Sequence, residues 1–172
     1  MTNWVSRDWA FLLWGADAAG PVPRTSPRTR LTAAVRTARA LRVLRRHGWG
    51  AAQSCLRDAR AAPRAHRGLP DDTAVRLARR ELPRCQLVVR LAEPDALCLA
   101  RSFALAVYLS ALGLPAETVI ARQRSSIGAR FGFHSWTELH GEVLNDIPGV
   151  RTGHTVLQRV RCAALSPGGP AP

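Results

Sequence analysis

Residues 96–112, ALCLARSFALAVYLSAL, are a mostly apolar run of helical length, preceded by Asp95 and followed by Gly113 and Pro115. Such a run reads as a helix with Asp95 as N-cap and Gly113 in the left-handed closing position. The period then changes. AETVIARQR reads as a strand and SSIGAR as a loop, while FGFHSWTEL and EVLNDI are two more strands around His140-Gly141, a hairpin turn. A fourth short strand falls near HTVLQRV. Residues 95–162 are therefore expected to be α+β, with one helix packed on a small antiparallel sheet.

The first half reads differently. Residues 20–30, GPVPRTSPRTR, carry three prolines and no apolar period, and read as a linker closing an extension over 1–30. Leu31, Ala34, Val35, Ala38, Leu41 and Leu44 then share one helical stripe that stops at Gly48. A second helix is expected over Ala51–Ala61. Asp71 or Asp72 caps a third, which Pro83 ends or kinks. CQLVVRL, residues 85–91, fits either a continued helix or a short buried strand, since periodicity does not separate the two. These elements make 31–94 a helical region, 95–162 the core and 163–172 a disordered tail. The opening MTNWVSRDWAFLLWG has no basic start and reads as a packed segment rather than a signal peptide. Trp4, Trp9 and Trp14 recur every five residues, a spacing that fits neither a helix face nor a strand.

Charge narrows the function classes less than its size suggests. The 172 residues carry 25 basic side chains, all arginine, against 12 acidic ones, for a net charge of +13. Nucleic acid is one partner such a charge suits, and an acidic peptide or protein is another. No winged-helix, zinc-finger or RNP signature supports the first. A basic binding protein stays as the non-enzymatic alternative, and salt-sensitive binding indifferent to loss of Cys98 would mark it. Cys55, Cys85, Cys98 and Cys162 are irregularly spaced with no C-x-x-C pair, which argues against a zinc site or a disulfide framework. No apolar run is long enough to span a bilayer. The expected compartment is the cytoplasm, where a reduced thiol is free to act as a nucleophile.

Cys98 is the cysteine best placed for that role. With Asp95 as N-cap it is the third helical residue, where unpaired N–H groups and the helix dipole favour a negative charge. His134 lies in one strand of the hairpin and Asp146 in the next. A three-residue loop, Leu139-His140-Gly141, would oppose Glu138 to Glu142, Trp136 to Leu144 and His134 to Asp146. A two-residue His140-Gly141 turn would put Asp146 on the opposite face from His134, leaving Asn145 as the candidate there. The three-residue register is the expectation, because an imidazole that takes a proton needs its other nitrogen held by an acceptor.

Two segments then carry a resemblance: CLARSFALAVYLSALGLPAETVIA, and FGFHSWTELHGEVLND. Their Cys-Leu-x-Arg-Ser helix start, His-x-Trp-x-Glu strand and Asn-Asp pair resemble the leader peptidases of lasso-peptide biosynthesis, a transglutaminase-like (papain-like) cysteine protease family. The matching positions are Cys98, Leu99, Arg101 and Ser102, then His134, Trp136 and Glu138, then Asn145 and Asp146. Ser135 departs mildly from the usual small residue after the histidine. The resemblance implies Cys98 as nucleophile, His134 as general acid–base and Asp146 as orienting acid, with no metal or organic cofactor. It implies as partners the precursor peptide, a separate leader-recognition protein and an ATP-dependent lasso cyclase. A transglutaminase-like acyltransferase, in which an amine resolves the acyl-enzyme, would use the same triad. Trp136 is expected to pack over the imidazole, and Arg101 to hold a core carboxylate rather than contact the peptide, while His140 and His154 are expected to be solvated.

Overall fold

The computed structural model describes residues 21–62, 65–125 and 132–165. The N-terminal segment with its three tryptophans, most of the SSIGAR loop and the 166–172 tail lie outside the described residues.

Three helices precede the sheet. The first, α1 (Pro27–Arg57), starts where Ser26 accepts a hydrogen bond from the Thr29 N–H at 3.1 Å, with Pro27 in the first turn. The two helices expected on either side of Gly48 are one element broken at that glycine, whose φ of 74° and ψ of −175° leave helical space. The second, α2 (Asp71–Ala92), runs through Pro83, so residues 85–91 continue the helix. Near the disturbed turn, Arg84 donates to the Arg80 carbonyl at 3.0 Å. The third, α3 (Cys98–Ala111), has Leu97 as N-cap, and Asp95 makes no capping bond. Cys98 is therefore the first helical residue, not the third.

Ten consecutive residues of α3, Ser102 to Ala111, are buried, which explains why the run is apolar on every side. One core layer joins Leu41 of α1 and Leu77 and Ala78 of α2 to Leu105, Leu109 and Leu112. A second joins Ala40, Ala52 and Leu56 to Phe103, Ala106 and Val107. A buried carboxylate, Glu81, ties the three helices together. Arg30 reaches it at 2.8 Å, Arg84 at 3.5 Å, and the Tyr108 hydroxyl donates to it at 3.3 Å. Burial, reinforced by the Glu81 charge, pushes the Tyr108 hydroxyl above its ordinary range, which keeps it a donor.

The sheet is antiparallel with strand order β3-β2-β1-β4: β1 (Glu117–Gln123), β2 (Phe133–Leu139), β3 (Glu142–Val143) and β4 (His154–Arg161). A single helical turn, Pro148–Arg151, precedes β4. The strand expected over residues 142–147 is only two residues long. Side chains of β2 alternate between the α3 side, with Thr137 donating to the Ser102 carbonyl at 2.9 Å, and an outer side. On that outer side Trp136 packs with Val119, Ala121, Val143 and Val150.

The C-terminus of α3 is closed by Gly113 at φ +84°, while the N–H groups of Ala62 and His66 reach the Ala111 and Leu112 carbonyls at 2.7 Å each. A Cβ at Gly113 would lie 3.0 Å from the Ala65 Cβ and 3.2 Å from the His66 carbonyl carbon. Gly141, at φ +82°, has open space around it. Gly113→Ala is thus expected to cost about 2–4 kcal/mol, and Gly141→Ala only about 1–2 kcal/mol, from left-handed strain alone. Urea unfolding of the two variants measures the difference; equal losses would contradict the close approach at Gly113.

Candidate active site

The hairpin fixes the site. His140 (φ 48°) and Gly141 (φ 82°) both adopt positive φ, the signature of a two-residue type I′ turn, whose twist matches the flanking strands. Leu139 pairs with Glu142 and Glu138 with Val143. This is one residue away from the expected three-residue register, so His134 and Asp146 are not cross-strand partners.

Asp146 nevertheless reaches the histidine, with His134 Nε2 2.5 Å from Asp146 Oδ2. The reason is that the ladder stops early. Leu144 N–H still donates to the Thr137 carbonyl at 3.0 Å, but the Thr137 N–H goes to Asn145 Oδ1 at 2.6 Å. In a continued ladder that N–H would bond the Leu144 carbonyl. With a side chain in that place, the chain leaves the sheet and carries Asp146 round to the outer face. Asp146 Oδ1 then accepts from the Ile147 N–H at 2.7 Å, which fixes the carboxylate's orientation. Asn145 stays on the helix side, where Nδ2 donates to Ser102 Oγ at 3.2 Å.

Ser102 connects this hairpin to Cys98. Its hydroxyl lies 2.8 Å from the Cys98 carbonyl and 2.8 Å from the Ser135 carbonyl. The first turn of α3 is thereby pinned beside the residue that follows His134. At the helix start the N–H groups of Cys98, Leu99 and Ala100 have no carbonyl one turn back to bond. Cys98 is half-buried, as are His134 and Asp146, so the three side chains remain open to a substrate. Nε2–H of His134 donating to Asp146 leaves Nδ1 as the nitrogen able to take and return a proton.

The outer face surrounds the imidazole with fixed groups. Trp136 is fully buried, its ring centroid 6.2 Å from that of His134, in keeping with the expected packing role. His154 is not simply solvated. It lies 5.5 Å from His134 and 5.9 Å from Trp136 between ring centroids, and its Nδ1 donates to the Val150 carbonyl at 2.8 Å. His140 pairs with Asp71 at 3.0 Å, joining the turn to α2. Beneath Trp136, Glu138 accepts from the indole Nε1 at 2.6 Å, from Arg151 at 2.9 Å and from Arg159 at 2.7 Å. Arg101, expected to hold a core carboxylate, is exposed and pairs with no acid among the described residues.

A family model described as the transglutaminase-like superfamily matches residues 32–159. The chain belongs to that superfamily. No curated protein and no solved structure matches it. The match takes in α1 and α2 as well as the sheet, so the arginine-rich helices belong to the transglutaminase-like domain. Among the described residues no cluster of three or more His, Cys, Asp or Glu side chains is arranged for a metal. None of the described helices is long and apolar enough to cross a membrane.

Ser102, Asn145 and His154 are the site residues whose roles sequence reasoning missed. Only the position of Ser102 one turn after Cys98 and that of Asn145 beside Asp146 hinted at theirs. Ser102→Ala would leave the Asn145 amide and the Ser135 carbonyl short of a partner, and is expected to cost about 1–3 kcal/mol. Thermal unfolding against Ser110→Ala is the check, because Ser110 Oγ is buried on the same helix with no partner among the described residues. Equal losses would deny the connection.

Glu138 gives a pH test. Burial pushes its carboxyl up, but hydrogen bonds from Arg159, Trp136 and Arg151 outweigh this and hold it below the usual carboxylate range. A depressed folded-state value stabilises the fold above the unfolded glutamate value of about 4.3, and that contribution disappears as pH falls through the folded value. Glu138→Gln should therefore melt several degrees lower than the parent at pH 7, with the gap closing below about pH 4. A gap independent of pH would show that the charge is not what stabilises.

Proposed function

We propose that this chain is a cysteine peptidase that removes the leader from a lasso-peptide precursor, acting with a separate leader-recognition protein and an ATP-dependent cyclase. The observation that carries the catalytic part is the His134–Asp146 pair, held by Ser102 and Asn145 beside a cysteine at the first position of a buried helix. In this reading the Cys98 thiolate attacks the scissile carbonyl and His134 Nδ1 gives its proton to the departing amine. Water, deprotonated by the same nitrogen, then releases the acyl group. The free N–H at Cys98 helps hold the tetrahedral oxyanion. Asp146 keeps the imidazole in the required tautomer and stabilises its charged form.

A peptide is the substrate class that the surroundings favour. Leu97, Phe133 and Ile147 are the chain neighbours of Cys98, His134 and Asp146, and they are 79%, 69% and 70% exposed. Exposed apolar side chains next in sequence to all three candidate catalytic residues suit a peptide with apolar residues as ligand. The resemblance of the Cys-Leu-x-Arg-Ser, His-x-Trp-x-Glu and Asn-Asp segments supplies the narrower assignment to lasso-peptide leaders. The net charge of +13 suits an acidic peptide or protein partner.

The test is reconstitution with the precursor, followed by mass spectrometry. Cys98→Ala should abolish cleavage while remaining folded. Asp146→Asn should keep the fold and lower turnover by roughly 10⁴-fold, as loss of the orienting acid does in serine-protease triads. Retained activity in Cys98→Ala, with Cys55, Cys85 or Cys162 essential instead, would refute the assignment. An amine adduct in place of the hydrolysed leader would mean acyl transfer.

A further inference from the structure

We propose that the cavity between α2 and α3 is a subsite for the side-chain carboxylate of a glutamate in the substrate peptide. This deepens the peptidase reading and rests on it. The cavity holds about 200 Å³, and its lining approaches the candidate triad through residues close to it in sequence. Arg101 on its wall is three residues after Cys98, one helical turn away on neighbouring positions of the same face. Asn145, on the other wall, directly precedes Asp146.

The lining has two parts with different chemistry. Its floor is apolar and buried, with Cys85 2% exposed, Leu105 3% and Val89 7%. Its rim carries Arg90 and Arg101, both exposed, and among the described residues neither is paired with an acid. Glu93 also lies on the rim, but it is already 3.5 Å from Arg45. Both polar atoms of the Asn145 side chain are taken, by the Thr137 N–H and by Ser102. Burial pushes the Cys85 thiol up to about 12, so the floor brings no negative charge of its own. A ligand that fits must offer an aliphatic stem to the floor and an anion to two guanidinium groups at the mouth. Glutamate does both. Aspartate is too short to cover the floor, and glutamine lacks the charge for which the arginines are matched.

The experiment reads binding rather than turnover. The full-length Cys98→Ala protein is titrated with N-acetyl-glutamate α-amide, N-acetyl-glutamine α-amide and N-acetyl-leucine while backbone amide resonances are followed. The glutamate compound should give saturable shifts at Arg101, Leu105 and Asn145, at least tenfold tighter than the glutamine compound. Arg101→Gln should remove that preference, and Arg46→Gln on an exposed face of α1 should leave it intact. Equal binding of the glutamate and glutamine compounds, or no saturable shift, overturns the subsite. Equal binding of N-acetyl-leucine would assign the arginines to a terminal carboxylate and overturn it as well. Failure here with leader cleavage intact removes the subsite alone; a glutamate preference in a chain that cleaves no peptide removes the peptidase reading instead.

Discussion

The site depends on one buried hydroxyl. Ser102 Oγ is close to the carbonyls of Cys98 and Ser135 and receives the amide of Asn145, so one atom joins the segments carrying Cys98, His134 and Asp146. A hydroxyl has one proton and two lone pairs, so the two carbonyls share its proton while the amide uses its acceptor side. In a fully buried position each group left unpaired costs about 1–3 kcal/mol. That penalty makes the three segments move as a unit. The Ser102 carbonyl adds a fourth tie by accepting from Thr137.

Strand β2 divides its two faces between anchoring and chemistry. Ser135, Thr137 and Leu139 face the buried helix, while His134, Trp136 and Glu138 face outward into a second, smaller core. The outer face is polar only where each charge has fixed partners. Glu138 sits under Trp136 with two arginines, and His154 is held against the His134 ring by the Val150 carbonyl. Several arginines are thus structural. Arg30 and Arg84 serve Glu81, Arg151 and Arg159 serve Glu138, and Arg36 and Arg80 cap loop carbonyls. The exposed, unpaired arginines are the ones available to an external anion, and Arg90 and Arg101 line one cavity between α2 and α3.

Much of this was legible in the chain. The all-round apolar helix, the break at Gly48, the closure at Gly113 and strands β1, β2 and β4 follow from local patterns that tertiary packing had no reason to override. The α+β class follows from their order. The misreadings have local causes. Asp95 is a good capping residue by type, but it lies in the turn before the helix, whose N-cap is Leu97, two residues later. The EVLNDI segment alternates like a strand, yet it pairs over only two residues because an asparagine side chain takes the next ladder bond. His154 looked like a surface residue because nothing in its neighbourhood of the sequence places it against His134.

The sequence by itself determined which residues are available for chemistry: a cysteine at the head of a buried helix, a histidine on an alternating strand, and an acid just beyond a tight turn. It located the turn at His140-Gly141 but not its length: a three-residue loop was the expectation, and the pairing of Leu139 with Glu142 makes it two. Only the tertiary structure decided that Asp146 meets His134. In a strictly continued two-residue register the pair would sit on opposite faces, because side chains alternate with period two. Asn145, whose side chain ends the ladder, is held from its other end by Ser102 of the packed helix. The segment that carries the carboxylate is thus tied to an atom 43 residues before Asn145, and no local pattern encodes such a tie.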